Sequence, residues 1–225
     1  MAFEKLFDRY DRLVLLDTET TGLDLRRDEI IEFSAVVLER QGMVQQYDEL
    51  ITLSPGGAVP PKIQELTGIT DMDIRERGIP KTRVCRDIAQ MIQGNVLILA
   101  YNAHFDLSFL FYLLLRDGDP AILKGKDKLD LLTVYKDRRR YPHRLCNAIE
   151  AYGLSGQVVN SHRAIDDVIA TVAVMEAMEK ERDDLLSYVN LFGYNPKYGV
   201  EGKPIGSVTY KAQGFDPKVP LYLVP

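Results

Sequence analysis

The chain has 225 residues, 46% apolar and 27% charged, which suits one medium domain or one domain with an appendage. Its formal net charge of −5 excludes a simple basic coat for nucleic acid, though not an enzyme that concentrates negative charge in a metal site. The longest apolar run, Leu107 to Leu115, is too short to span a bilayer, and Cys85 and Cys146 have no metal-ligand spacing and no disulfide framework. A cytoplasmic protein is expected, with reduced core-facing thiols, no membrane association and no signal peptide in its charge-alternating first residues.

Residues 3–11 read as a short amphipathic helix feeding a strand at Leu13–Leu16. Gly22 and Asp24 mark a turn. Ile30–Leu38 reads as a second strand, apolar and β-branched with Glu32 as an exception. After the Gln41-Gly42 turn, Val44–Leu53 interleaves polar residues, as a hairpin strand with one wet face would. Pro60-Pro61 opens a short helix through Leu66, which Gly68 caps, and Asp71 begins another short helical or loop stretch. Thr82 is a candidate N-cap for a helix over 83–93, on which Val84, Ile88 and Ile92 keep helical spacing.

Val96–Ala100 is apolar throughout, which suits a central parallel strand. A helix over 106–116 follows Asn102-Ala103-His104-Phe105-Asp106. Leu129–Leu132 reads as a short strand or strand-to-helix turn, and Leu145–Tyr152 as a helix closed by Gly153. The last long helix spans 164–182, with Ile165, Ile169, Val172, Met175 and Met178 on its apolar stripe. Beyond it the chain turns rich in Gly, Pro and Tyr. Residues 1–182 are therefore taken as the domain and 183–225 as an appendage, with a small hairpin near Ile205–Tyr210.

Chemistry gathers at three places. Asp17 and Glu19 end the first strand and share a face, because side chains two apart in a strand point the same way. Like charges so close raise each other's proton affinity unless a cation lies between them, and carboxylates suit a hard ion such as Mg²⁺ or Mn²⁺. Asp106 follows an apolar strand at the start of a helix, either as a first-turn acid favoured by the helix dipole or as a carboxylate at the strand ends where α/β sheets place their sites. His162 precedes the last helix beside Asp166 and Asp167, which point about 100° apart; periodicity does not choose between them. Arg138-Arg139-Arg140 and Arg144 read equally as phosphate contacts or as a solvated face.

The segments Asp17-Thr18-Glu19-Thr20-Thr21-Gly22, Asn102-Ala103-His104-Phe105-Asp106 and His162 with Asp167 resemble, in order, the three motifs of the DEDDh, DnaQ-like 3′→5′ exonucleases. That family includes the DNA polymerase III epsilon subunit and RNase T. Ile30–Val36 and Ile63–Thr70 resemble its second strand and a later loop, so the likeness covers residues 11–180. Two positions depart from its pattern: Tyr101 stands where His is frequent, and Leu131 where Thr is common.

The resemblance implies an α/β, RNase H-like fold with a mixed central five-stranded sheet flanked by helices, three antiparallel strands coming first. It selects Asp167, five residues after the histidine, and assigns the histidine branch. It implies two Mg²⁺ or Mn²⁺ ions about 3.5–4 Å apart on Asp17, Glu19, Asp106 and Asp167, with His162 as general base. Nucleoside 5′-monophosphates would leave the 3′ end of single-stranded DNA, which is favoured, or of RNA. Thr18, Thr20, Leu23 and Asn102 would meet the terminal nucleotide, and a DNA polymerase is a candidate partner. The alternative is a catalytically idle binding module on the same fold, against which the complete acidic set argues.

Overall fold

The computed structural model describes residues 3–191 and 218–223, together with the backbone of 194–195 and 199–200. Three strands come first, β1 (Arg12–Thr20), β2 (Ile30–Glu39) and β3 (Gly42–Leu50), paired antiparallel. β4 (Val96–Ala100) then pairs parallel to β1, and β5 (Asp127–Asp130) parallel to β4. The order β3-β2-β1-β4-β5 makes the mixed five-stranded sheet expected for the RNase H-like fold.

The helices are α1 (Glu4–Phe7), α2 (Pro61–Thr67), α3 (Asp71–Arg77), α4 (Lys81–Met91), α5 (Ala103–Asp117), α6 (Leu131–Arg138), α7 (Leu145–Ala151) and α8 (Ala164–Glu181). Strand alternation divides β1 between two cores. Leu13 and Leu15 pack with Leu97, Leu99, Val134, Val168 and Met175, beneath α6 and α8. Val14 and Leu16 pack with Val84, Ile88, Leu107 and Leu110, beneath α4 and α5. Both faces are covered, so β1 and β4 are apolar on both sides up to the residue where the acids begin.

Several boundaries move for identifiable reasons. β1 does not stop at Leu16: β2 offers a pairing partner throughout, so Asp17 and Glu19 lie inside the strand, opposite Ser34 and Glu32. Pro80, not Thr82, caps α4. α6 is a full helix, where the sequence marked only a turn; its start is fixed by Asp130, whose side chain accepts from the Leu132 amide. Cys85 is buried as expected, but Cys146 is exposed. Ile169, expected on the apolar stripe of α8, is also exposed.

The arginine run is mostly consumed by the fold. Arg138 is 1% exposed and pairs with Glu181 and Asp184, while also donating to the Met178 carbonyl at 2.6 Å. Arg139 bonds Glu181 at 2.6 Å and lies 5.0 Å from the centre of the Tyr152 ring. Only Arg140 of the three is exposed.

The chain after α8 turns back onto the domain. Leu185, Tyr188, Val189 and Leu221 are buried in the same core as α8. Tyr188 donates to Asp137 at 2.6 Å, and the Leu221 amide bonds the same oxygen at 2.9 Å. The hairpin expected near Ile205–Tyr210 lies outside the described residues. Among the described residues no helix is long and apolar enough to cross a membrane.

Replacing Arg138 by Met leaves the Glu181 and Asp184 carboxylates without their buried cation, so stability should fall by about 3 kcal/mol. Urea unfolding measures this directly. An unchanged midpoint would mean that the ion pair is not structural.

Candidate active site

The acids converge where β4 leaves the sheet. β1 pairs with β4 only as far as Leu15, and beyond that point its edge has no strand partner on this side among the described residues. The Thr18 amide is satisfied instead by a side chain: it donates to Asp106 Oδ1 at 3.0 Å, and the Thr18 hydroxyl donates to the same oxygen at 2.8 Å. Asp106, in the first turn of α5 and 2% exposed, is thereby fastened to the strand carrying Asp17 and Glu19. From the other side comes the start of α8. Glu19, His162 and Asp167 bring ligand atoms within 4.8 Å of one another. Asp17 and Asp106 lie outside that triplet, yet Glu19 and Asp167 act on the charge of Asp17, and Asp106 acts on that of Glu19.

The electrostatics are those of crowded anions. Burial, reinforced by Asp106, Asp167 and Glu19, holds the Asp17 carboxyl well above the usual carboxylate range. Burial and the charge of Asp167 push Glu19 up to about 8. Burial lifts Asp106 to about 7 against the lowering effect of its Thr18 bonds. Asp167 is also raised by burial, with partial relief from Asn160, which donates to it at 2.7 Å, and from His162. Hard oxygen donors that repel one another fit divalent cations, and Asp17, Glu19, Asp106 and Asp167 are the groups that would hold them.

Two further acids act as anchors. Glu32, 1% exposed on β2, receives the Arg163 guanidinium, with one bond at 2.9 Å from Nε, and the Ala164 amide at 2.8 Å. This clamps the first residues of α8 to the sheet. Asp130, 2% exposed, accepts from the amides of Asn102 and Ala103 at 3.0 and 3.1 Å and from the Thr133 hydroxyl at 2.7 Å, fixing the turn into α5. Asn102 and His162 both have left-handed backbones, with φ of 74° and 58°. Such strain is held only where neighbours over-determine it.

The remaining candidates lie around this centre. Thr18 and Thr20 are buried; the Thr20 hydroxyl bonds the Gly22 carbonyl at 2.6 Å. Asp28 braces the next loop through the Thr21 hydroxyl and the Asp24 amide, at 3.0 and 2.8 Å. A Cβ on Gly22 would come within 2.4 Å of that carboxylate, so the brace requires glycine. Leu23, at the tip, is 82% exposed. Asp166, left open beside Asp167 by periodicity, accepts instead from the Ser161 hydroxyl. Sequence reasoning marked Glu32 only as an exception in an apolar strand and gave Arg163 no role.

The folded chain holds the protons of Glu19 and Asp106 to higher pH than the unfolded chain, whose carboxyls titrate near 4. Metal-free stability should therefore fall as pH rises from about 4 to about 8. Mg²⁺ or Mn²⁺ should flatten that slope. Thermal melts across this range, with and without metal, test both; a flat metal-free profile would remove the repulsion argument. Separately, Arg163→Met should cost about 3 kcal/mol in urea unfolding by leaving Glu32 buried without its cation, and an unchanged midpoint would rule out the clamp.

Comparison with known proteins shows the family. A family model described as "Exonuclease", of the RNase T type, matches residues 14–175. The DNA polymerase III subunit epsilon of Treponema pallidum is 35% identical over 185 residues, covering 79% of this chain and 82% of that protein. The 3′-5′ exonuclease DinG of Bacillus subtilis is 34% identical over 108 residues, 48% of this chain, and the chain spans only 11% of its length. Among solved structures, the zinc-bound form of the E. coli exonuclease I complex with single-stranded DNA superposes with a TM-score of 0.70 at 22% identity, covering 79% of this chain and 42% of that one. The acids at the end of β1, the histidine before α8 and the span of the family match lead to one conclusion: the chain belongs to the exonuclease family, in its DEDDh, DnaQ-like branch of 3′-5′ exonucleases.

Proposed function

We propose that the protein removes nucleotides from the 3′ end of single-stranded nucleic acid, DNA being favoured over RNA, and releases nucleoside 5′-monophosphates. The observation that carries this reading is the meeting of Glu19, His162 and Asp167 within 4.8 Å, beside the raised carboxyls of Asp17 and Asp106. The preference for DNA is supported by the name of the Treponema relative and by the single-stranded DNA held by exonuclease I. A DNA polymerase is proposed as a partner on the same ground.

In this reading Asp17, Glu19, Asp106 and Asp167 hold two Mg²⁺ or Mn²⁺ ions. When bound, the ions neutralise the phosphodiester and favour ionisation of water and of the departing 3′ oxygen. The chain's own groups do the rest. His162 is exposed, so its ring is open to solvent and placed to take the proton of the attacking water. Asp167, held by Asn160, stays in register with it. The bonds of Thr18 to Asp106 keep the second acidic segment against the first. Leu23 offers an exposed apolar surface to the terminal base, and Asn102 adds a polar group beside the sugar, whereas Thr18 and Thr20 are buried, the Thr18 amide committed to Asp106 and the Thr20 hydroxyl to the Gly22 carbonyl.

The test is a gel assay with 5′-labelled single-stranded DNA and matching RNA, in Mg²⁺, Mn²⁺ or chelator. The DNA should shorten stepwise from its 3′ end, only with metal. His162→Ala should slow it by about 10²–10⁴-fold, the usual contribution of a general base. Asp17→Ala should abolish it. If neither strand shortens although the protein is folded and metal is present, the idle binding module takes the place of this reading.

A further inference from the structure

Beyond the acidic centre, a groove of about 770 Å³ runs from His162 and Asp167 past Asn102 to the loop between α6 and α7. Its size lies within the range of ligand clefts, roughly 300–1,000 Å³. Its far wall carries Tyr141, Arg144 and Lys136. Tyr141 is 86% exposed, an unusual position for a large aromatic ring with no burial to gain. The ring is nonetheless held by its surroundings. Its centre lies 5.9 Å from the His143 ring at 84°, and His143 in turn stands 5.7 Å from Tyr135 at 85°. The His143 Nε2 is 2.9 Å from the Arg139 carbonyl. The Tyr101 hydroxyl, from the end of β4, donates to the His143 carbonyl at 2.8 Å and ties the loop to the sheet.

The groove thus offers a braced, open aromatic face, an exposed guanidinium and an ammonium, in line with the residues that meet the scissile phosphate. Lys136 and Arg144 on this wall match the charge of a phosphate backbone. An aromatic face alongside cations is the combination that takes single strands irrespective of sequence. We propose that this groove binds the single strand immediately 5′ of the scissile phosphate, Tyr141 stacking on a base while Lys136 and Arg144 contact backbone phosphates. This assignment rests on the exonuclease reading and extends it to the part of the substrate that is not cleaved.

The experiment compares kcat/KM for an oligodeoxynucleotide with kcat/KM for the p-nitrophenyl ester of thymidine 5′-monophosphate, which has no upstream nucleotide. Tyr141→Ala should lower the ratio of the two roughly tenfold or more, the scale of one lost base–aromatic stack, and Tyr141→Phe should restore it. The double substitution of Lys136 and Arg144 by Ala should shallow the salt dependence of oligonucleotide binding by about 1.4 in log–log slope, about 0.7 for each lost phosphate contact. If wild-type protein cleaves both substrates and Tyr141→Ala keeps the wild-type ratio, the groove assignment is overturned while the exonuclease reading stands. If wild-type protein cleaves neither, the exonuclease reading fails and the groove assignment fails with it.

Discussion

Mutual repulsion among Asp17, Glu19, Asp106 and Asp167 is the constraint around which this fold is arranged. Burial raises all four carboxyls, and the neighbouring charges of the set add to it at Asp17 and Glu19, so the sheet end is a costly place to fold in the absence of a cation. That cost is offset elsewhere. Leu13, Leu15, Leu97 and Leu99 on one face of the sheet, with Val14, Leu16 and Ile98 on the other, are almost fully buried. Each such side chain contributes roughly 1.5–3 kcal/mol of transfer free energy. β1, which carries Asp17 and Glu19, and β4, which leads to Asp106, are thus anchored by buried apolar residues on both faces.

Not every buried acid here is a candidate metal ligand, and the partners separate the two kinds. Glu32 and Asp130 are as deeply buried as Asp106. Glu32 faces a guanidinium and an amide, and Asp130 faces three amides and a hydroxyl. Their oxygens are committed to protein donors, so they serve as joints. Glu32 joins β2 to the start of α8, and Asp130 joins β5 to the start of α5. Those helices carry Asp167 and Asp106. The two joints therefore set the distance between Asp106, Asp167 and the β1 acids, so a change at either should be felt at the candidate site.

Legibility followed the range of the interaction. Asp17 and Glu19 were readable because their geometry depends on a two-residue period alone. Asp106 was readable because an apolar strand ran into it. Asp166 and Asp167 were not separable locally, since the rotation of α8 is set by Arg163 on Glu32, 131 residues away in sequence. Glu32 stood out in an apolar strand, but nothing nearby named its partner. The arginine run misled for the same reason. Its carboxylates, Glu181 and Asp184, lie more than forty residues on, so a buried structural cation looked like a surface charge.

The segment 160–164 combines rigidity with freedom in five residues. Asn160 holds Asp167, and the Arg163 side chain and Ala164 amide hold Glu32, so both flanks are fastened to buried carboxylates. Between them His162 is exposed and sits at a positive φ, a conformation that non-glycine residues keep only when their neighbours impose it. In the proposed reaction the carboxylates must not move, since their spacing defines where cations fit. The base must pass its proton to solvent in every cycle. Anchoring the chain on both sides of the histidine, while leaving its ring in water, meets both demands without a mobile loop. The strained backbone sits within this arrangement: only Ser161 and His162 span the path from Asp167's support to Glu32's clamp, and the one at positive φ presents the imidazole.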